Sequence, residues 1–583
     1  MNPVLRLTAT LSLSCAVYSC SASKPSPSTT SAGGRGGVGA GGSGGQQSTA
    51  GGAPPLLIAP EPSLDCNDTS GSLGCSFYSV RPPRMARLSV GDNAPANGAC
   101  FAAFVVNASA SPVSIQVEFQ GALLDTQKLA RIPKGSGASI SYQPLPSGML
   151  PPNEVAILFL MHSSRSSLRC PSDAGYERVP AFDDPTGTVV DKAFHITTSA
   201  PVAAYDIFPY GGGKSAVSSA TLLLPTTVWD TNYVAVSPYS GATQFPSTIQ
   251  LVAQEDGTEV TVAPRADILA GPNVPASKAN QPQTYQLGRG DVLQLAPPGA
   301  EELGGSAVLA NKPIGLWAAL SCASVPGSAM ACDSLHQQIP PVRALGHRYV
   351  AVRHRNRFES INEQAPFRVM GAVDGTTLTY SAGAPTTAPR SLSAGQTMEF
   401  LADAPFSVES QDPSHPFYLA TYMTGCGDVS KDPGSDCRGD PEFVNVVPTE
   451  QYASSYVFFT DPTYPETSLA LVRARTGGVF EDVVVDCVGT VTGWQPLGDN
   501  ADYEVARLDL VHGNFEPQGK CDNGRHEASS HAPFAVTVWG WGSGLTGGST
   551  VTDPQYTQCV SYAYPAGAGV QRINSTVVQP VVK

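Results

Sequence analysis

Three stretches of the sequence place residue types that do chemistry close together. Residues 209–217, PYGGGKSAV, have the glycines and the lysine (Lys214) of a phosphate-binding loop. Such a loop also needs a glycine at the position of Phe208, and it has to open a helix. The residues from 215 on, SAVSSATLLLP, are small, β-branched or leucine and end at Pro225. We therefore predict an inter-strand turn and no nucleotide site.

The second stretch, GRHEASSH, contains His526, Glu527 and His531. Zinc proteases need two histidines four residues apart on one helical face, and here the spacing is five. The third stretch is an acidic loop with these aspartates at four-residue spacing: Asp428, Asp432, Asp436 and Asp440. Calcium loops usually place their ligands at alternate positions. We expect solvated loop residues in the second stretch and a polar loop pinned by a cystine in the third.

Two Arg-Gly-Asp tripeptides, at 289–291 and 438–440, match the sequence that integrins read. Gly-Asp is also ordinary turn chemistry, which is the interpretation we favour. No Ser/His/Asp or Cys/His arrangement with a local signature is found in the sequence. The sequence thus predicts no catalytic residue, no cofactor and no metal.

Composition limits the class of partner. The 583 residues carry a net charge of −14, and only 14% of them are charged. Nucleic acid and anionic lipid both require a basic face, so the charge argues against both. Few charges, with many Gly, Pro, Ser and Thr, indicate an exported all-β protein.

The N-terminus predicts export and anchoring. Residues 1–20 resemble a bacterial lipoprotein signal, in which VYSC makes Cys20 the lipidated residue; an ordinary secretory signal is the alternative. Residues 21–58 are rich in Gly, Ser and Pro and have no aromatic residue. Such a segment cannot bury enough apolar surface to fold, so we predict a disordered tether.

Two markers recur along the remaining chain. The first is a proline that opens an apolar strand, and its copies lie 112, 103 and 117 residues apart: Pro201, Pro313, Pro416 and Pro533. The second is a proline followed by a tyrosine eight residues on: Pro225–Tyr233, Pro341–Tyr349 and Pro448–Tyr456. With Asp-Gly hairpins between them, the markers indicate a repeat of about 110 residues.

The repeat predicts an all-β fold of tandem β-sandwich modules. We expect an Ig-like sandwich over 59–190, two repeat units over 191–339 and 340–447, and a C-terminal β unit over 448–583. A unit of this length also suits two four-stranded blades, so a β-propeller built from paired blades is the alternative.

Eleven cysteines follow the signal segment. Sequence proximity favours Cys66–Cys75, Cys322–Cys332, Cys426–Cys437 and Cys487–Cys521, and Cys100–Cys170 is possible inside the first segment. This leaves Cys559 over, so either one assignment is wrong or one thiol is free. Disulfides need an oxidising compartment, which agrees with export.

From about Phe194 to Thr476 the order of segments resembles the N-terminal domain family of IgGFc-binding proteins. The resemblance is carried by TSAPVAAYDIFPY, SATLLLPTTVWDTNYVAV and LVAQEDGTEVTVAP, and by the later segment around Cys322. The family takes its name from an animal mucus protein whose N-terminal region is associated with Fc binding. Bacterial members are commonly exported, often as lipoproteins.

These observations predict a non-enzymatic binding or adhesion protein, lipid-anchored at the outer membrane or surface of a bacterium. Its partner would be an extracellular protein or glycan, with no nucleic acid and with membrane contact through the anchor alone. An exported hydrolase acting on polysaccharide or protein, and a structural envelope or matrix component, are the alternatives.

Overall fold

The computed structural model describes residues 65–84, 97–164, 166, 168–171, 177–178, 187–212, 217–239, 245–327, 332–381, 383–429, 436–544 and 557–580. These residues are mainly β-strand, in sheets whose pairings are antiparallel except for one short parallel pair. The predicted all-β class is confirmed. Within the described residues, no helix has the length and apolar character needed to cross a membrane.

We name four modules by the marker prolines: module 1 before Pro225, module 2 from Pro225, module 3 from Pro341 and module 4 from Pro448, with a tail from Ala566. The strands before Pro225 are β1 (Gly74–Ser79), β2 (Phe101–Asn107), β3 (Val113–Phe119), β4 (Ala122–Leu123), β5 (Ala130–Lys134), β6 (Ser141–Pro144), β7 (Met149–Leu150), β8 (Val155–Ser163), β9 (Glu177–Arg178), β10 (Val189–Lys192), β11 (Phe194–Phe208) and β12 (Ser219–Leu223). Module 2 has β13 (Asp230–Val234), β14 (Thr248–Ala253), β15 (Thr258–Ala263), β16 (Gln283–Leu287), β17 (Asp291–Leu295), β18 (Ala307–Ala323) and β19 (Asp333–Ile339).

Module 3 has β20 (Arg348–Ala351), β21 (Ala365–Gly371), β22 (Thr376–Tyr380), β23 (Ser391–Leu392), β24 (Thr397–Ala402), β25 (Phe406–Ser410), β26 (Phe417–Met423) and β27 (Glu442–Asn445). Module 4 has β28 (Ala453–Thr460), β29 (Glu466–Ala474), β30 (Val483–Val485), β31 (Gly489–Thr490), β32 (Gln495–Leu497), β33 (Asn500–His512), β34 (Glu516–Pro517), β35 (Gly524–Trp541) and β36 (Ser561–Pro565). The short helices are α1 (Thr126–Leu129), α2 (Cys426–Val429) and 3-10 turns at Gly137–Ser139, Pro146–Gly148, Thr226–Val228, Val342–Ala344 and Thr449–Gln451.

Each module is a sandwich, and in modules 1, 2 and 4 it is built around one long strand that bends at the first marker proline. In module 2 the residues of β18 before Pro313 pair with β15 and with most of β13, and those after it pair with β14, with β19 and with Asp230 at the beginning of β13. Proline has no N–H for the ladder, so the strand bends there and passes from one sheet to the other. β11 and β35 repeat this arrangement, and in module 3 it is divided between β25 and β26.

Module 1 follows the same plan with additional strands. β11 pairs with β3 and most of β1 before its proline, and with β2, β12 and Gly74 at the beginning of β1 after it. The sheets of module 1 thus include residues on both sides of the boundary predicted between 190 and 191. That boundary falls within β10, which pairs with β17 of module 2.

A buried tyrosine joins the two sequence markers within a module. The hydroxyl of Tyr233 accepts a hydrogen bond from the N–H of Asp230 (3.2 Å) and donates one to the carbonyl of Ile314 (2.7 Å), which directly follows Pro313. The same pair of bonds recurs in modules 3 and 4: Gly346–Tyr349–Phe417 and Ala453–Tyr456–Phe534. The hydroxyl therefore holds the opening strand against the bend.

In module 1 the hydroxyl is missing. Gly74 of β1 lies opposite Val202, as Asp230 lies opposite Ile314 in module 2. Three residues after Gly74 the chain has Phe77, which is fully buried. Module 1 keeps the aromatic ring of the marker and lacks its hydrogen bonds.

Substitution of Tyr349 by phenylalanine is expected to destabilise the protein by about 1–3 kcal/mol, because the N–H of Gly346 and the carbonyl of Phe417 lose their partner in a buried position. Urea unfolding measures this loss. Tyr285→Phe is the matched control, because the buried hydroxyl of Tyr285 makes no hydrogen bond. Equal stability of the two variants would contradict the assigned role of the Tyr349 hydroxyl.

The strand that follows each bend lies at the centre of the molecule. β12 and β27 each lie against both β19 and β36, so the four strands close a ring. Ser218, at the beginning of β12, donates to the carbonyl of Ser561 at the beginning of β36 (2.8 Å). At the other end, the N–H of Leu224 donates to Gln338 of β19 (2.7 Å). The central strands therefore run in the same direction, as the innermost strands of a propeller do, although each module is a sandwich.

The beginnings of these strands define one face of the ring and their ends define the other. We call the face with the connections into the central strands the loop face, and the face with the marker prolines and 3-10 turns the proline face. The ring is closed on the proline side, where Ser72 donates its N–H to Ala568 and Val570 donates to Ser70, both at 2.9 Å. The tail then passes modules 3 and 2, where Asn574 donates to Val342 and Val578 to Asn232.

Candidate binding surface

The loop face is positioned by the bent strands β11, β18 and β35 and, in module 3, by β25 and β26. In module 1, β11 ends at Phe208 and β12 begins at Ser219, and the two strands pair. The stretch PYGGGKS therefore connects two antiparallel neighbours, as the sequence predicted. Lys214 itself lies outside the described residues. The corresponding connections are 324–332 in module 2, 424–441 in module 3 and 542–560 in module 4.

Backbone hydrogen bonds join these connections across the module boundaries. Ser334, the second residue of β19, donates to the carbonyl of Val217 in the connection of module 1 (3.2 Å), which links modules 2 and 1. Gly425 donates to Val325 (2.7 Å), which links modules 3 and 2. The N–H of Cys559 donates to the carbonyl of Cys437 (3.3 Å), which links modules 4 and 3. The loop face is consequently one continuous surface.

Cystines lie under and within this surface. The structure pairs Cys322 with Cys332, Cys426 with Cys437 and Cys100 with Cys170, and it also pairs Cys66 with Cys75 and Cys487 with Cys521. Cys559, left over in the sequence, lies beside Cys437 with 5.2 Å between their Cα atoms. Cys20 lies outside the described residues.

An arginine-rich loop of module 3, residues 353–363, supplies side chains of the loop face. The guanidinium of Arg357 is fully buried and donates to the carbonyls of Thr424 (2.8 Å) and Arg438 (3.0 Å). This ties the loop to the connection that follows β26. Arg357 also pairs with Glu363 at 2.9 Å, so its buried charge is compensated.

Half-buried arginine and aromatic side chains lie on this loop and beside it. The guanidinium carbon of Arg438 stands 4.5 Å from the ring centroid of Phe358, and Arg438 is held by Asp436 at 3.0 Å. Glu359 directly follows Phe358, and Asp428 lies in the same connection as Arg438. Both side chains are exposed. Arginine and aromatic residues dominate the energy of protein interfaces, so this patch can act as a recognition site.

The ring axis beneath the loop face contains buried carboxyl groups. Glu442 is fully buried and accepts hydrogen bonds from the hydroxyl of Ser219 (3.0 Å) and the N–H groups of Ala220 (3.2 Å) and Phe443 (2.8 Å). Burial raises the pKa of Glu442 well above its usual value. Burial, with the neighbouring charges of Asp440 and Glu442, also raises the pKa of Asp333. This cluster joins modules and is closed to solvent, so we assign it a structural role.

Buried carboxyls and histidines set the pH dependence of stability. Burial raises the pKa of Asp206 to about 8 and that of Asp440 to about 7. The folded protein then binds more protons than the unfolded chain above pH 4, so the free energy of unfolding falls as pH rises to about 8. Burial lowers the pKa of His336 and His354 to about 3, which costs stability only below about pH 6.5. The carboxyl effect is therefore unopposed by these histidines between pH 6.5 and 8.

We expect the free energy of unfolding to decrease from pH 6.5 to 8, by up to about 1.4 kcal/mol per pH unit for each protonated buried carboxyl. Asp206→Asn should flatten this slope, because the amide has no proton to lose and can still accept from Ser79, which donates to Asp206 at 2.7 Å. Denaturant titrations at several pH values measure the slope. Asp482→Asn, at an exposed position, is the control, and an unchanged slope in Asp206→Asn would be the contrary result.

The motifs singled out in the sequence are explained by the fold. His526 and His531 lie on β35, five residues apart, so they point to opposite faces of the strand. His526 is buried and bonded to Asp486 (3.1 Å) and to the carbonyl of Asp522 (2.8 Å). The solvated loop expected for GRHEASSH is therefore a strand.

Both Arg-Gly-Asp tripeptides are engaged within the molecule. Arg289 pairs with Glu118 at 3.1 Å, and Asp291 pairs with Lys192 at 2.6 Å. In the second tripeptide Asp440 is buried. Of the four spaced aspartates, Asp428 is exposed, Asp436 pairs with Arg438, and Asp432 lies outside the described residues.

The family comparison matches the fold. The model of the family described as IgGFc binding protein covers residues 219–540, more than half of the chain. The chain belongs to this family. The match begins at the first residue of β12 and ends one residue before the end of the bent strand β35. It therefore contains the whole of modules 2 and 3. No curated protein and no solved structure matches the chain.

The family description places the chain among binding proteins. The residues that form the candidate surface were not selected from the sequence, apart from Asp428, Asp436 and Arg438. The sequence signal for this surface was the run RHRNRF at 353–358. Arginine occupies every second position of the run, and a phenylalanine follows the last arginine. Neither spacing nor composition distinguishes that run from a solvated loop.

Proposed function

We propose that the protein is an exported, non-enzymatic binding protein that recognises an extracellular protein through the loop face of its ring. The observation that carries this proposal is the joining of the inter-strand connections of adjacent modules into one surface. Family membership supports protein binding. The cystine pairs support an oxidising, extracytoplasmic setting.

The ring favours one binding face over several independent ones. Modules strung as beads would each offer their own loops, and weak contacts would add through avidity. Here the hydrophobic core is continuous between modules: residues of β2 and β11 cluster with residues of β28 and β29. The loops are therefore held in fixed relative positions, which lowers the entropy lost on binding.

We propose that Cys20 carries the lipid, that residues 21–58 form the tether, and that the folded part is presented at the surface of a bacterium. We also propose that the chain divides at the marker prolines Pro225, Pro341 and Pro448, because each precedes an opening strand that a module uses.

Charge reversal at the loop face tests the proposed surface. The probe is the Fc fragment of IgG, with the Fab fragment as the negative control, and the protein is secreted without lipid through Cys20→Ser. Asp428→Arg combined with Glu359→Arg should weaken Fc binding at least tenfold, because both residues are exposed on or beside the loop face. Surface plasmon resonance measures the affinity.

The matched control places the same side chain on the proline face. Ser575→Arg with Gln579→Arg lies on the exposed tail and should leave the affinity within twofold. Loss of binding in the tail variant with retention in the loop-face variant would overturn the proposed surface. Absence of Fc binding by the unsubstituted protein would overturn Fc as the ligand.

A further inference from the structure

Three cysteines from two modules meet beneath the loop face. Cys426 and Cys437 belong to module 3 and Cys559 to module 4, and their sulfur atoms all lie within 4.8 Å of one another. The three form a separate cluster in the core, with exposed fractions of 2%, 0% and 9%. Cys559 is therefore the most accessible of the three to a small external reagent.

Cys437 is placed to form a disulfide with either neighbour. Its Cα atom lies 5.2 Å from that of Cys426 and 5.2 Å from that of Cys559. Both distances fall within the range of about 4.4–6.8 Å that disulfides show, so neither pairing requires the backbone to move. One sulfur forms a single disulfide, so each arrangement leaves one of the outer cysteines as a thiol.

We propose that Cys426, Cys437 and Cys559 form an internal thiol–disulfide exchange site. The thiolate of Cys559 attacks the sulfur of Cys437, a Cys559–Cys437 bond forms, and the Cys437–Cys426 bond breaks. Cys426 leaves as a thiolate and takes up the proton that Cys559 gave up. The step is reversible, consumes no oxidant or reductant, and conserves one thiol in the cluster.

The backbone around the site is held in place by bonds that do not depend on the disulfide. The N–H of Cys559 donates to the carbonyl of Cys437 (3.3 Å). Two residues beyond Cys559, Ser561 donates its hydroxyl to the carbonyl of Asp440 (2.5 Å) and accepts from its N–H (3.3 Å). Modules 3 and 4 thus stay in register during exchange.

The two arrangements differ at the loop face. With Cys426–Cys437, an eleven-residue separation is closed within module 3 and α2 is covalently pinned at its first residue. With Cys437–Cys559, separated by 122 residues, modules 3 and 4 are covalently joined and α2 is released. The exchange therefore transfers a covalent constraint from a surface loop to a module boundary.

Native-state alkylation tests the exchange. The folded protein is incubated with iodoacetamide at pH 8, acid-quenched at intervals, and digested without reduction for peptide mapping. The starting material should contain both linked peptide pairs and one thiol among the three cysteines. Alkylation of Cys559 should then convert the population to Cys426–Cys437, because a blocked Cys559 can no longer attack.

Cys426→Ser is the control. It can form only Cys437–Cys559, so that disulfide should persist throughout the incubation, and its presence in folded protein shows that the second pairing forms. In the unsubstituted protein, a constant ratio of the two disulfides while Cys559 becomes alkylated would overturn the proposal. A single pairing from the start, or three thiolates holding a zinc ion, would also overturn it.

Discussion

Removal of residues 566–583 is expected to open the ring and to destabilise the protein by about 5 kcal/mol, the sum of several buried hydrogen bonds at about 1 kcal/mol each. The tail closes the seam between modules 1 and 4, where Gly71 bridges Gly569. It also accepts a hydrogen bond from the buried hydroxyl of Tyr205 at the carbonyl of Ala566 (2.5 Å). Modules 1 and 4 are separated by most of the chain, so no local sequence replaces this contact.

Calorimetry and small-angle scattering measure the two consequences. The truncated protein should unfold at a lower temperature and have a larger radius of gyration. A shorter deletion of residues 579–583 keeps the seam and is the matched control. An unchanged unfolding temperature after the longer deletion would show that the central strands alone close the ring.

Substitution of a single tail residue should give a smaller loss of stability than the truncation. The side-chain amide of buried Asn574 donates to the carbonyls of Val342 and Leu345, both at 2.8 Å. Asn574→Asp keeps the size of the side chain and removes the donor, so it should reproduce part of the effect of the truncation. No loss of stability in this variant would place the tail's contribution elsewhere.

Substitution of Glu442 by alanine is expected to destabilise the protein by about 3–5 kcal/mol. The hydroxyl of Ser219 and the N–H groups of Ala220 and Phe443 would lose their acceptor inside the ring, and each orphaned group costs about 1–3 kcal/mol. The deleted side chain also leaves a cavity that the packed central strands cannot fill. Since Ser219 and Ala220 belong to module 1 and Glu442 to module 3, the loss acts across the axis.

Glu442→Gln distinguishes the lost acceptor from the lost volume. Glutamine fills the space but offers one acceptor oxygen, so its cost should fall between those of the unsubstituted protein and Glu442→Ala. Glu301→Ala, at an exposed position of module 2, is the control for the loss of a carboxylate. Urea unfolding ranks the variants, and equal stability of Glu442→Ala and Glu301→Ala would contradict the account of the axis.

The modular plan was predictable because its markers are local. Each marker proline is followed by a tyrosine at fixed spacing, and each bend proline lies in an apolar strand, so Tyr233, Tyr349 and Tyr456 are visible as a repeat. Their shared bond to the residue after the bend proline spans a long sequence separation and has no local signal. Module 1 was not recognised as a copy of the repeat, because Phe77 replaces the tyrosine and extra strands lengthen the unit.

The ring could not be inferred from the residues that close it. Ser70, Ser72 and Gly569 are of types common in loops, and their pairing depends on the arrangement of all four modules. Gln337 of β19 and Glu442 of β27 are polar residues of the kind found on the exposed side of a strand, whereas the ring buries both. For the same reason the sequence indicates only separate inter-strand loops at the candidate surface. These loops form one surface because the central strands run in the same direction.

Hydrogen–deuterium exchange with and without the Fc fragment tests the proposed binding face most directly. Binding at the loop face should slow exchange in peptides that contain residues 208–212, 324–327, 353–363 and 426–429. Exchange in the tail, residues 566–578, should not change. Protection confined to the tail and the 3-10 turns of the proline face would contradict the account.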